Sequence, residues 1–233
     1  MNHLNTAFVC LALSASAAMA VPIPIVNSGF ETATLPITYG DALANNVFTG
    51  NGTLAGWTAV GPTNGTVFGG GFQPTVFGTF PNWTNTWWGG QNIAYLFPFG
   101  STTPFWLEQT VAATLESDTV YDLSLLVGRR LFEWGSTNLV YDVQLLAGST
   151  VVASGNQLNL APDSAGVHTL SYSSGAANPL AGQALTIRLM TTTSEVFFDD
   201  VSLNAQATPE PGAVGMVLMG LGALGYRMRR RRN

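Results

Sequence analysis

Apolar and polar residues alternate over short runs along most of this chain, and no 3.6-residue period is sustained. In "TVYDLSLLVG", Val120, Asp122 and Ser124 oppose Tyr121, Leu123 and Leu125, the period-two pattern of a strand with one buried face. Similar runs, rich in β-branched and aromatic residues and bounded by Gly, Asn, Pro and Ser, predict strands at Ile23–Asn27, Thr66–Phe68, Ile93–Phe97, Trp106–Val111, Val120–Val127, Leu139–Ala147, Thr150–Ser154, Val167–Tyr172, Leu185–Met190 and Glu195–Asn204. The stretch "LVYDVQLLAGSTVVASG" reads as a hairpin turning at Gly148-Ser149. Residues 161–166 and 173–182 read as loops. About ten short strands without a strong helix predict an all-β, antiparallel β-sandwich, a jelly roll, over residues 21–204. A polar linker is expected at 205–208.

The two ends follow other rules. Residues 1–20 carry an apolar stretch from Ala7 and end Ala18-Met19-Ala20, small residues three and one positions before a cut, so a signal peptide cleaved by signal peptidase after Ala20 is expected. At the other end Gly212–Tyr226 is 15 residues without charge, bounded by arginines. As a helix it spans about 22 Å at roughly 1.5 Å per residue, short of a hydrocarbon core of about 30 Å. Extended to 212–228 with snorkelling arginines, it spans an inner membrane narrowly, and the arginines hold that end in the cytoplasm. Pro209-Glu210-Pro211, the apolar run and the cluster Arg229, Arg230, Arg231 and Arg232 occur in that order. Together, 209–233 resembles the PEP-CTERM sorting signal of Gram-negative bacteria. The resemblance implies processing by an exosortase, passage through the inner membrane, and a final place at the cell surface or in an exopolysaccharide matrix.

Composition narrows the function classes. Five of the eight basic residues, all arginines, lie in the tail, and removing both ends leaves three arginines against twelve acids. Such a body repels phosphates, so nucleic acid is not an expected partner. The one cysteine, Cys10, lies in the leader, which excludes disulfides, thiolate catalysis and cysteine-ligated zinc from the body.

Within the body, Asn27-Ser28-Gly29-Phe30-Glu31, Gly56-Trp57, Gly90-Gln91-Asn92-Ile93-Ala94-Tyr95-Leu96, Leu107-Glu108-Gln109-Thr110-Val111 and Phe197-Phe198-Asp199-Asp200-Val201 appear in order. The set resembles the galactose-binding-like, carbohydrate-binding-module jelly rolls. The stretch "LSLLVGRR…YDVQLLAGSTVVA" is further similar to a branch related to the Stig cyclases, calcium-bearing jelly rolls that cyclise terpenoid indoles. The first resemblance implies a structural Ca²⁺ joining the terminal strands, with Glu31 and one of Asp199 and Asp200 as ligands. Strand alternation would let only Asp199 share a face with Phe197 and Val201.

Three kinds of site remain open. The aromatic stretch 68–106 offers Trp83, Trp87, Trp88 and Tyr95 either as a platform for sugar rings or as core under long loops. The second resemblance implies, for an enzyme, a pocket of Tyr95, Phe132 and one of Asp199 and Asp200, in which a carboxyl group protonates an alkene or indole. His168 is the only histidine of the body, and "GVHTL" reads as a plain strand. No nucleophile elbow, metal-binding histidine pair or phosphate loop is present. The expectation is therefore an exported, calcium-stabilised protein that is not an enzyme and binds polysaccharide. The alternatives are a cyclase-like or lyase-like enzyme and a purely structural biofilm protein.

Overall fold

Each predicted run with a clear period of two becomes a strand of one of two antiparallel sheets. The computed structural model describes residues 19–32, 54–61, 67–72, 93–98, 103–129, 140–156, 159–161, 164–192 and 196–208, with the backbone alone for 67–72, Tyr95, Phe97 and Pro98. The strands are β1 (Val21–Ile23), β2 (Thr58–Val60), β3 (Val67–Phe72), β4 (Ile93–Pro98), β5 (Phe105–Thr114), β6 (Thr119–Arg129), β7 (Tyr141–Ala147), β8 (Thr150–Gly155), β9 (Ser164–Ser173), β10 (Ala184–Thr191) and β11 (Val196–Ala207). The first sheet runs β3-β4-β11-β6-β9, with β1 pairing beside β4 on β11. The second runs β2-β5-β10-β7-β8. Ala20–Ala207 form one compact unit.

The core lies between the sheets. Leu123, Leu125 and Val127 of β6 and Phe198, Val201 and Leu203 of β11 meet Leu107, Val143, Leu145, Ile187 and Leu189 of the other sheet. Removing such side chains from water contributes about 1.5–3 kcal/mol each, the main force holding a chain without disulfides. The β7–β8 hairpin turns at Gly148-Ser149 as its sequence predicts. Ala147 faces Thr150, and Gly148 has φ of 58°, a value open to glycine without strain.

Several boundaries differ from the sequence reading. The first strand is Val21–Ile23 instead of Ile23–Asn27, because residues 26–29 turn and Asn27 adopts φ of 53°. Residues 205–207, expected as linker, continue β11, paired with Tyr121, Val120 and Thr119 of β6 and, at Ala205, also with Val21. Ser164–Gly166, expected as loop, opens β9 opposite Val127–Arg129. The leader to residue 18 and the tail from 209, with its expected helix at 212–228, lie outside the described residues. No helix among the described residues is long and apolar enough to cross a membrane.

Candidate functional site

The segments that stand out in the sequence converge in space. Gln109 of β5 is buried and clamps the N-terminal arm with two hydrogen bonds. The Val26 amide donates to its Oε1 at 2.8 Å, and its Nε2 donates to the Val26 carbonyl at 2.9 Å. Next along the arm, Trp57 donates its indole N–H to the Asn27 carbonyl at 3.2 Å and packs on Phe30 at 5.1 Å between ring centroids. The Val201 amide of β11 donates to the Ser28 carbonyl at 3.0 Å. The "NSGFE", "GW", "LEQTV" and "FFDDV" segments thus form one assembly. Their regularity has this structural cause: Gln109 ties the arm to β5, Trp57 holds Asn27, and Val201 ties the arm to β11.

At the junction lie the expected metal ligands. A Cβ built on Gly29 would sit 3.7 Å from Asp199 Oδ1, 3.7 Å from Asp200 Oδ1 and 3.9 Å from Glu31 Cγ, so the three acids gather around this residue at ordinary contact distance. The register slips between Asp199 and Ser202, Asp200 has φ of 48°, and its amide donates to Asp199 Oδ1 at 2.8 Å. This bulge corrects the alternation argument: Val201 returns to the core, whereas Asp199 stays on the face of Phe197. The donors are all oxygens, the set a hard cation takes. Among the described residues, however, no three Asp, Glu, His or Cys side chains group tightly enough to hold a metal by themselves. A calcium ion would therefore need backbone carbonyls as well.

Asp199 has a second aspect. Phe198 faces the core, so its neighbours Phe197 and Asp199 point from the opposite face of the first sheet. Both are nevertheless buried, Asp199 with no exposure at all. Ile93 of β4, also buried, likewise stands outside the main core cluster. Tyr95 is the cross-strand partner of Phe197, which also faces Gly128. A buried carboxyl group beside an aromatic ring, on strands next to Tyr95, is thus the most chemically pointed arrangement in the described molecule. Phe132 and the tryptophans Trp83, Trp87 and Trp88 lie outside the described residues, as do Ala18 and the tail residues Pro209, Glu210, Pro211 and Arg229–Arg232. Ala20 is exposed just before β1.

His168 was read as a plain strand histidine, and two features of its setting were not foreseen. It is buried, with Nδ1 3.0 Å from the Tyr141 hydroxyl, and Nε2 has no hydrogen-bond partner among the described residues. Burial lowers its pKa from the usual value, against the opposing charge of Asp142. No sequence signal separates such a histidine from an ordinary one, because Tyr141 and Gly155 lie on other strands.

Comparison with known proteins bears on the catalytic question. The family model described as HpiC1 cyclase matches residues 21–204, and the PEP-CTERM protein-sorting motif matches residues 207–232. A Stig cyclase from Fischerella sp. TAU, solved with (3Z)-3-(1-methyl-2-pyrrolidinylidene)-3H-indole, is 28% identical with a TM-score of 0.64, covering 82% of this chain and 100% of the other. A cyclase from the same organism, solved with 4-(1H-indol-3-yl)butan-2-one, is 28% identical with a TM-score of 0.61 over the same shares. A carbohydrate-binding module with β-1,4-galactotriose, 12% identical over 78% of this chain and 97% of the other, reaches a TM-score of only 0.46, too low to bear on the ligand. No curated protein matches the chain. These findings overturn the expectation of a protein that is not an enzyme: the matched domain is a cyclase domain, and the ordered segments that suggested a carbohydrate module are its framework. The sorting motif makes it an exported protein, processed by an exosortase at the membrane and associated with the surface. The chain belongs to the HpiC1 cyclase family and carries that domain ahead of a PEP-CTERM sorting motif.

Proposed function

We propose that the domain is an exported cyclase acting on an apolar substrate with an indole or a comparable aromatic ring, at the buried face of β4, β11 and β6. The observation that carries this reading is Asp199, a fully buried carboxyl group beside Phe197 on strands adjoining Tyr95, in a chain of a cyclase family. The related cyclases were solved with indole-bearing molecules. In the proposed reaction a proton adds to an alkene, the resulting cation is attacked by a ring carbon, and a proton is lost. The product is an isomer of the substrate. Asp199 handles the proton, while Tyr95 and Phe132 bound the cation. Low polarity suits this chemistry, because few polar groups compete with the ring for the cation.

Calcium belongs to the same reading in a structural role. Glu31 and Asp200 are exposed, and with carbonyls of the arm and the bulge they would hold the ion where the arm meets β11. Asp199, whose Oδ1 accepts from the Asp200 amide, adjoins this ion site as well as the substrate face.

The first test is binding. The full chain is titrated with 4-(1H-indol-3-yl)butan-2-one and followed by saturation-transfer NMR. Saturable binding that Phe197→Ala weakens supports the site. Absence of binding, or binding indifferent to that change, removes it.

A further inference from the structure

A second cleft opens on the other sheet, where Tyr141 of its lining also packs edge-on to Phe198 of β11 at 6.3 Å between ring centroids. At the end where β7, β8 and β10 meet, a cleft of about 340 Å³ is lined by Tyr141, Asp142, Ser154, Gly155, Asn156 and Met190, among others. That volume sits at the small end of ligand sites, which run from about 300 to 1,000 Å³.

Its walls are chemically specific. Asp142 is the only charged residue among the described residues of the lining, and it disfavours anions. Asp142 is also held in place: Gln144 donates its amide to Asp142 Oδ2 at 2.7 Å, and Gln144 in turn meets Arg188, which is paired with Glu108 at 3.0 Å. The side chains of Ser154 and Asn156 make no hydrogen bond among the described residues, leaving a hydroxyl and an amide to face the cleft. Met190 and Val140 add an apolar patch.

Behind Gly155 stands His168, only 2% exposed, with Nε2 unpartnered. The ring's Cε1–Nε2 edge faces the glycine: a Cβ there would lie 3.3 Å from Cε1 and 3.4 Å from Nε2. Nδ1 is engaged by Tyr141, itself part of the cleft lining. A buried nitrogen left unmatched is destabilising, so a polar atom brought past Gly155 would satisfy it.

We infer that this cleft binds a neutral, polyhydroxylated small molecule of the size and chemistry of one sugar residue. Asp142, Ser154 and Asn156 take its hydroxyls, Met190 and Val140 meet its C–H face, and His168 senses it through Gly155. A carboxylate and an amide accept and donate to vicinal hydroxyls without demanding a charge on the ligand, and the apolar patch suits a ring that is hydrophobic on one side.

The test uses the full chain labelled with ¹⁵N in histidine. His3 and His168 give two imidazole signals, and the His168 signal is the one lost in His168→Gln. D-Galactose, D-glucose and myo-inositol are titrated, with ethanolamine as a cationic control. We expect at least one of the neutral probes to shift the His168 signal saturably while His3 stays still. Asp142→Asn should weaken that binding about tenfold, equivalent to about 1.4 kcal/mol. Ser154→Ala, at an exposed position, serves as the second variant if Asp142→Asn does not fold. The proposal is overturned if no neutral probe saturates, if ethanolamine alone binds, or if the folded variants bind as tightly as the parent chain. These outcomes are independent of indole binding on the other sheet.

Discussion

Gln109 shows how one side chain can hold a fold that has no disulfide. Its amide satisfies both the N–H and the C=O of Val26, so the N-terminal arm is fastened to β5 as if by one more rung of a ladder. Gln109→Leu keeps the volume and strands both backbone groups. We expect it to cost about 2 kcal/mol, the scale of a buried unpaired polar group, read as a lower urea midpoint at unchanged slope. His168 makes the converse case. Its folded pKa is lowered by burial, so the unfolded chain binds the proton more readily. The stability this gives is complete above the unfolded value of about 6.5 and is lost as pH falls from there through the lower folded value. Asp142, the charged group acting on it, opposes the shift without cancelling it. Stability measured from pH 8 to 5 should therefore fall on the acid side, and His168→Gln should flatten that part of the curve. An unchanged slope would show that the imidazole is not the titrating group.

At the scale of elements, the strands with uninterrupted alternation were legible and the places where alternation breaks were not. β6 runs from Thr119 to Arg129 with Tyr121, Leu123, Leu125 and Val127 buried, as "TVYDLSLLVG" announces. By contrast β2 is three residues, too short to show a period, and β3 crosses Gly69–Gly71, where there is no side chain to carry one. The candidate site fell into the same gap. Its acids, Glu31, Asp199 and Asp200, were legible from motif order. Their faces were not, because a bulge shifts every later side chain on β11 and leaves no mark in composition. The cleft by Tyr141 was invisible for a simpler reason: its walls join the open end of the β7–β8 hairpin to β10, which lies further along the chain. One turn tests this level directly. Gly56 has φ of 81°, and a Cβ there would lie 2.7 Å from Val26 Cβ, on the arm that Gln109 holds. Gly56→Ala combines backbone strain with a clash and should cost about 1–3 kcal/mol, seen as a lower melting temperature. Gly182→Ala, also at positive φ but with nothing within 4 Å, separates the strain from the clash.

For the whole molecule, export and chemistry must be read together. The PEP-CTERM motif makes this an exported protein processed at the membrane, and its body is acidic and without cysteine. If Glu31 and Asp200 hold calcium, chelation should lower the melting temperature of the full chain, and Glu31→Gln should remove most of that difference. No change on chelation would take calcium out of the account. The sequence resembled both a carbohydrate module and a cyclase because both readings rest on the same terminal-strand segments, which here fasten the arm. The central claim is that Asp199 moves the proton in a cyclisation. Its most direct measurement incubates the full chain with a panel of prenylated indoles and follows products by chromatography with mass detection. We expect a product of unchanged mass and new retention. Asp199→Asn should reduce its rate of formation by at least about a hundredfold, the usual weight of a lost acid–base group, while the folded fraction stays that of the parent chain. Isomerisation at the parental rate in folded Asp199→Asn, or no isomerisation of any substrate by the parent chain, would contradict the account.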